Sequence, residues 1–387
     1  MDTSAQERAL QGWLKGLVDN LELPCCYMAL YKGDKCVFKG GAGNGVDGRA
    51  VSEHSRFHLY SMTKPIVSVA AMILVEKGKL DLQDPIYKFL GDKWKKENQR
   101  VLGGSGLVPC EHNITVKMLL NHTSGIGYPF LYPKQNEHVS KALERDAATT
   151  NKEETAEEVT DRISTNILFS QPGSKFTYGH STDVLARLIE VLSGETIEHF
   201  LKSHIFDRIG MRHTGYAHDS IVPQVSGKAW GKGKRKPYPV PVKKLGGTGL
   251  VGTVEDYALF ARMILNGGQL DGVRIISKET VSKMTRNQLP LNQQLGEVAL
   301  YQFPPNLPLP IANFSGSEFG LGFRICKDQQ LSGELAPAGT LDWCGLGGTT
   351  FFIDPTNSIV CIFLTNVLAP KTAKQYWRQL QELVYNT

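Results

Sequence analysis

Apolar positions along the chain follow two different periods. Near the start, the strand-like runs CCYMALYK and KCVFKGGA flank Gly33-Asp34, a two-residue hairpin signal, after a helix predicted over roughly 5–19. Near the end, FGLGFRIC, GTTFFIDP and SIVCIFLTN are β-branched and aromatic runs separated by turn residues such as Asp354-Pro355-Thr356-Asn357, and a last helix is predicted over about 370–385. Between these ends the period becomes helical. Over 62–77, Ile66, Val69, Ala70, Ile73 and Leu74 keep the i, i+3, i+4, i+7, i+8 stripe, with Gly78 placed to end the helix. Further helices are predicted over 182–193, stopped by Gly194, and over 254–266, opened by Thr253 and closed by Gly267-Gly268.

Strands at both ends around a helical middle imply one sheet assembled from the N- and C-terminal segments, with a helical lobe inserted between them. The expected division is a discontinuous α/β sheet domain from 1–90 and 285–387, and a mainly helical lobe from 91–284. A cleft is expected where the two meet.

The stretch LYSMTKPIVSVAAMILVEKGKL opens the first buried helix with a serine and a lysine three positions apart, the only S-x-x-K in the chain. Ser61 at a helix start has unpaired N–H groups beside it, and the i, i+3 spacing sets Lys64 on the same face. For Lys64 to take a proton near neutral pH, its pKa must fall from ~10.4 to roughly 7, a differential of about 4.6 kcal/mol, which desolvation by the adjoining apolar stripe could supply. A capping serine and a snorkelling lysine would leave the same four residues, so the motif alone decides nothing. His54 and His58 have the i, i+4 spacing of a metal pair, but HSRFHLYS reads as extended and brings no third ligand, so no metal is expected. Neither a G-x-S-x-G elbow nor a nucleotide-binding glycine loop occurs, and no cofactor is expected.

Composition narrows the class. A chain of 387 residues with 41% hydrophobic content can bury a large core, no apolar run is long enough to span a bilayer, and the start carries Asp2 and Glu7 where a secretion signal would be basic then apolar. Seven cysteines without C-x-x-C spacing read as free core thiols, so a cytoplasmic location is expected. The net charge is +5, yet residues 228–244, KAWGKGKRKPYPVPVKK, hold seven basic residues and no acid, leaving −2 for the rest. That run is either a solvated loop or a docking patch for an anionic partner. Nothing points to nucleic acid.

Four further stretches carry chemistry: QPGSKFTYGHSTDVLARL, with Tyr178 in a loop ahead of a helix; LLNHTSGI; GGTGLVGTVEDYALFARMILNGG, after the basic run; and the glycine-rich strand segment DWCGLGGTTFFIDP. With Ser61-x-x-Lys64, in this order, the chain resembles the serine β-lactamase and penicillin-binding-protein superfamily. Within it the chain is most similar to the β-lactamase-like carboxylesterases (family VIII esterases) and their acyltransferase relatives. The resemblance runs from about 25 to 365. It implies a β-lactamase/transpeptidase-like fold, an α/β arrangement with an inserted all-α lobe and an antiparallel sheet. It also implies Ser61 as acyl-enzyme nucleophile, Lys64 and Tyr178 as the proton-transfer pair, and an oxyanion hole from the backbone N–H groups of Ser61 and Leu346. Two amides aimed at an oxyanion, and a phenolate-capable tyrosine beside a cationic lysine, suit that chemistry.

The departures from the superfamily matter as much. Trp343-Cys344-Gly345 stands where β-lactamases carry Lys-Thr-Gly, and Tyr178-Gly179-His180 where they carry Tyr-x-Asn. The cation for a β-lactam carboxylate is missing, and an indole takes its place. Trp343, Cys344, Gly345 and His180 are therefore the expected substrate-binding residues, and neutral, fairly apolar esters the expected substrates. The expected activity is ester hydrolysis through a Ser61 acyl-enzyme. An acyltransferase is the alternative, moving an acyl group from an acidic acyl carrier protein, docked at 228–244, or from a coenzyme A thioester to a metabolite alcohol. A non-catalytic binder that keeps the fold is the third reading.

Overall fold

The computed structural model describes residues 3–104, 106–132, 136–147, 154–216, 221–226, 237, 243–290, 295, 314–368 and 373–386. The basic run at 228–244 lies outside them except for Pro237, Lys243 and Lys244, as does Trp230.

Seven strands form one antiparallel sheet: β1 (Cys25–Lys32), β2 (Lys35–Gly43), β3 (Ser317–Phe319), β4 (Arg324–Cys326), β5 (Leu341–Cys344), β6 (Thr350–Asp354) and β7 (Ile359–Thr365), in the order β3-β4-β5-β6-β7-β1-β2. The first two strands and the last five meet where β1 pairs with β7, from Cys26 opposite Thr365 to Lys32 opposite Ile359. Gly33, at φ +57°, makes the turn between β1 and β2 that the sequence predicts.

The strands are apolar on both faces because helices cover both. Alternate residues of β1 divide between two cores: Cys26, Met28 and Leu30 join Phe352, Cys361 and Phe363 beneath two terminal helices, α1 (Thr3–Asp19) and α5 (Ala373–Tyr385). Cys25, Tyr27 and Ala29 join the larger core on the other face, which contains α2 (Thr63–Glu76), α3 (Ser181–Ser193) and α4 (Val254–Leu265). Helix α2 is not the one-sided amphipathic helix its stripe suggests. Every residue from Thr63 to Leu74 is buried, Lys64 and Ser68 included, because α2 runs through the centre of the molecule and packs on α3.

Helix α4, which the sequence places in the inserted lobe, packs on β7, β1 and β6, with the Tyr257 ring 4.9 Å from that of Phe351. One hairpin escaped the sequence reading: Arg100–Gly103 pairs with Gly106–Pro109, in a stretch read as helix and loop. Its second strand is exposed, so it carries no apolar run to announce it. No helix among the described residues is long and apolar enough to cross a membrane.

Candidate active site

The chain enters the site from the short strand Phe57–His58, which pairs with Val251–Gly252, and Leu59 N–H continues the ladder to Leu250 O at 2.9 Å. Tyr60 then takes φ +47°, and Ser61 sits in the single 3₁₀ turn Tyr60–Met62 ahead of α2. A positive φ at a tyrosine costs on the order of 1–3 kcal/mol and persists only where its surroundings hold it. Here they do. The Tyr257 hydroxyl of α4 donates to Met62 O at 3.0 Å, and the loop after β5 lies directly against the turn. A Cβ at Gly345 would stand 2.5 Å from Leu59 O and 2.3 Å from Thr349 Oγ1; one at Gly347 would stand 2.7 Å from the Tyr60 ring. The glycines of DWCGLGG thus allow the loop after β5 to approach the turn that carries the serine.

Two groups converge on Ser61. Tyr178 Oη donates to Ser61 Oγ at 2.7 Å, and Lys64 Nζ donates to the same oxygen at 3.1 Å. Lys64 Nζ also donates to Tyr128 Oη at 3.1 Å and to Gly247 O at 2.6 Å. Tyr178 is held by rings on several sides: His122 at 4.9 Å, Trp343 at 5.3 Å and Tyr128 at 5.4 Å between centroids. Its loop is fixed by main-chain bonds, Thr177 N–H to His122 O at 2.6 Å and Tyr128 N–H to Tyr178 O at 3.2 Å.

Burial sets the protonation states. It pushes Lys64 down to about 8, against the opposing pull of the Asp183 carboxylate. Burial pushes the Tyr178 phenol well above its usual value, although the Ser61 hydroxyl it donates to and the neighbouring Trp343 indole work the other way. Near physiological pH, therefore, the lysine is the group that can give up its proton, while the phenol keeps its own. Tyr128 is likewise pushed up by burial.

His180 stands apart from the serine. Its Nδ1 lies 2.8 Å from Asp183 Oδ2 and its Nε2 3.4 Å from Asp146 Oδ2, while its ring packs 4.5 Å from Tyr128. Burial would lower its pKa, but the two carboxylates outweigh that and raise it to about 9. It is an ion-paired cation at the edge of the site. Trp343 and Cys344 are buried on β5. His58 is buried and pushed down to about 4 by desolvation, whereas His54 is exposed beside His213, so the two do not form a pair. Among the described residues, no cluster of three or more His, Cys, Asp or Glu could hold a metal ion. Trp94 is part of the core.

A sequence profile described as Beta-lactamase matches residues 10–385. The chain belongs to the Beta-lactamase family. Relatives in this family include acyltransferase calJ of Penicillium decumbens, 26% identical over 324 residues covering 79% of this chain and 74% of that protein. Esterase EstB of Burkholderia gladioli is 25% identical over 366 residues, covering 87% and 84%. Among solved structures, EstCE1 superposes with a TM-score of 0.81 at 21% identity, covering 99% of each chain. The β-lactamase/transpeptidase-like fold read from the motifs is the fold of the molecule.

Sequence reasoning missed Tyr128, Asp183 and Gly247. Tyr128 lies in an aromatic stretch, YPFLYP, and Asp183 and Gly247 lie within quoted stretches but with no role given, because Gly247 meets Lys64, and Asp183 meets Gly247, only across long separations in sequence.

Proposed function

We propose that this protein is a serine hydrolase that cleaves neutral, fairly apolar carboxylic esters through a Ser61 acyl-enzyme. The observation that carries the reading is the meeting at Ser61 Oγ of Tyr178 Oη at 2.7 Å and a buried Lys64 Nζ at 3.1 Å. Neutral Lys64 takes the Ser61 proton as Oγ bonds to the ester carbonyl carbon, and the carbonyl oxygen becomes an oxyanion held by the Ser61 and Leu346 N–H groups. The tetrahedral intermediate collapses by breaking the bond to the alcohol oxygen. Tyr178 hands its proton to that leaving oxygen and is reprotonated from Lys64. In the second half an acceptor hydroxyl gives its proton to Lys64 and attacks the acyl carbon, and Ser61 leaves with a proton returned by the same pair.

In this reading the Trp343 ring, packed beside Tyr178, lies toward the substrate, Cys344 at the end of β5 and Gly345 just after it line the site, and the His180 cation closes its far edge. The seven free thiols, six of them buried, suit the cytoplasmic location we assign.

The acceptor is water in this reading. An alcohol acceptor is the second reading, supported by the acyltransferase calJ among the relatives and by a structural neighbour described as a hydrolase with promiscuous acyltransferase activity. The basic run 228–244 would then receive an acidic carrier of the acyl donor.

Intact-mass analysis after mixing with a short-chain p-nitrophenyl ester tests both readings. A single acyl adduct is expected on the native chain and none on Ser61→Ala, whose ester turnover falls at least about 1000-fold. An adduct that decays equally with and without added alcohols identifies the hydrolase; one that clears only with an alcohol identifies the transferase. Ser61→Ala that keeps most of its turnover would overturn the assignment.

A further inference from the structure

Gly247 uses both sides of its peptide environment at the site. Its N–H donates to Asp183 Oδ1 at 2.6 Å, and its carbonyl accepts from Lys64 Nζ at 2.6 Å. The main chain is pressed onto the start of α3: a Cβ at Gly246 would stand 2.0 Å from Thr182 O, and one at Gly247 2.9 Å from Asp183 Oδ1. Asp183 is buried in the first turn of α3, where the helix N-terminus favours its charge, and its second oxygen meets His180 Nδ1 at 2.8 Å. Charges of alternating sign continue outward: His180 to Asp146 at 3.4 Å, Asp146 to Arg162 at 2.5 Å, Arg162 to Glu154 at 3.1 Å, and Glu154 to Lys243 at 3.2 Å.

We propose that Asp183 is a positioning residue for Lys64, acting through the Gly247 peptide: it fixes the carbonyl that aims Nζ at Ser61, and its charge sets the pH at which Nζ is free to take the serine proton. The proposal rests on the Ser61–Lys64 reading above. A carboxylate that reached Lys64 directly would pair with it and keep it protonated. Placed one peptide away, it holds the lysine's hydrogen-bond partner while exerting a weaker field.

The groups facing Lys64 are Asp183, Tyr128, Tyr178, Cys344 and His122, and those facing Asp183 also include His180 and Tyr216. Burial keeps the three phenols protonated and His122 neutral, so Asp183 and His180 are the opposing charges around the lysine.

The test follows the pH dependence of Ser61 acylation by a p-nitrophenyl ester in single turnovers, with folding checked by circular dichroism. Asp183→Asn keeps an oxygen for the Gly247 N–H but loses the charge, so its rising limb should move about one pH unit lower with a plateau within about threefold of native. Asp183→Ala also loses the acceptor, so its plateau should fall at least about tenfold with little change in KM. His180→Gln removes the cation that offsets Asp183, and its limb should move to higher pH, the opposite sign. It also serves if both Asp183 variants fail to fold. Limbs that superimpose on native for a folded Asp183→Asn, or for His180→Gln, would overturn the proposal. Acylation that survives in Ser61→Ala would instead overturn the reading beneath it.

Discussion

A lysine can serve as a base only if the fold removes most of the stabilisation water gives its cation. Lys64 is 1% exposed, and its three hydrogen-bond partners, Ser61, Tyr128 and the Gly247 carbonyl, are neutral. With its pKa lowered to about 8, the neutral fraction grows as pH rises, so acylation should climb through pH ~8 and level off above it. Lys64→Arg, which stays charged throughout, should show no such limb and acylate at least about 1000-fold more slowly, read by the same single-turnover release of p-nitrophenol. Ser61, Lys64 and Tyr178 were legible in the sequence because each lies in a short motif with its own local structure. Tyr128 and Asp183 were not, because what makes them matter is contact with Lys64 or with the Gly247 peptide, made only after the loops fold back onto α2.

At the scale of elements, the site depends on one close approach, that of the loop after β5 to the 3₁₀ turn carrying Ser61. Gly345→Ala would drive a methyl into Leu59 O, a backbone atom that cannot swing aside. Its expected effects are a loss of about 1–3 kcal/mol of stability in a denaturant melt and, with Leu346 N–H as the proposed oxyanion donor, acylation slowed by roughly 100-fold. A variant with native acylation would show that this amide is not a donor. Most elements were legible from period alone: the spans predicted over 62–77, 182–193 and 254–266 are helices over Thr63–Glu76, Ser181–Ser193 and Val254–Leu265. What period could not reveal was how many sides each element buries. Helix α2 shows a stripe in sequence but is surrounded in the fold, since small residues such as Ala71 and Ser68 lie on its other faces and bury at little cost.

At the scale of the molecule, we propose that the sheet lobe formed by the two chain ends includes α4, so that the inserted lobe ends before residue 254 rather than near 285. The packing of Tyr257 on Phe351, and its bond to Met62 O, support that division. The sheet's central seam joins distant parts of the chain: Thr365 Oγ1 donates to Cys25 O, 340 residues away in sequence. Yet α1 and α5 lie together, with Gln6 Nε2 donating to Leu383 O at 3.0 Å and Trp13 Nε1 to Gln379 Oε1 at 3.0 Å. Circular permutation follows from this proximity. Joining residues 386 and 3 through a short flexible linker, and reopening the chain at the exposed Asp271-Gly272 turn, would reduce the β1–β7 separation to about 50 residues and lower its loop-closure cost by about 1.7 kcal/mol. Such a permutant should still acylate at Ser61 and should refold up to about tenfold faster by stopped-flow fluorescence, because the seam that spans about 340 residues in the native chain order would become a far more local contact.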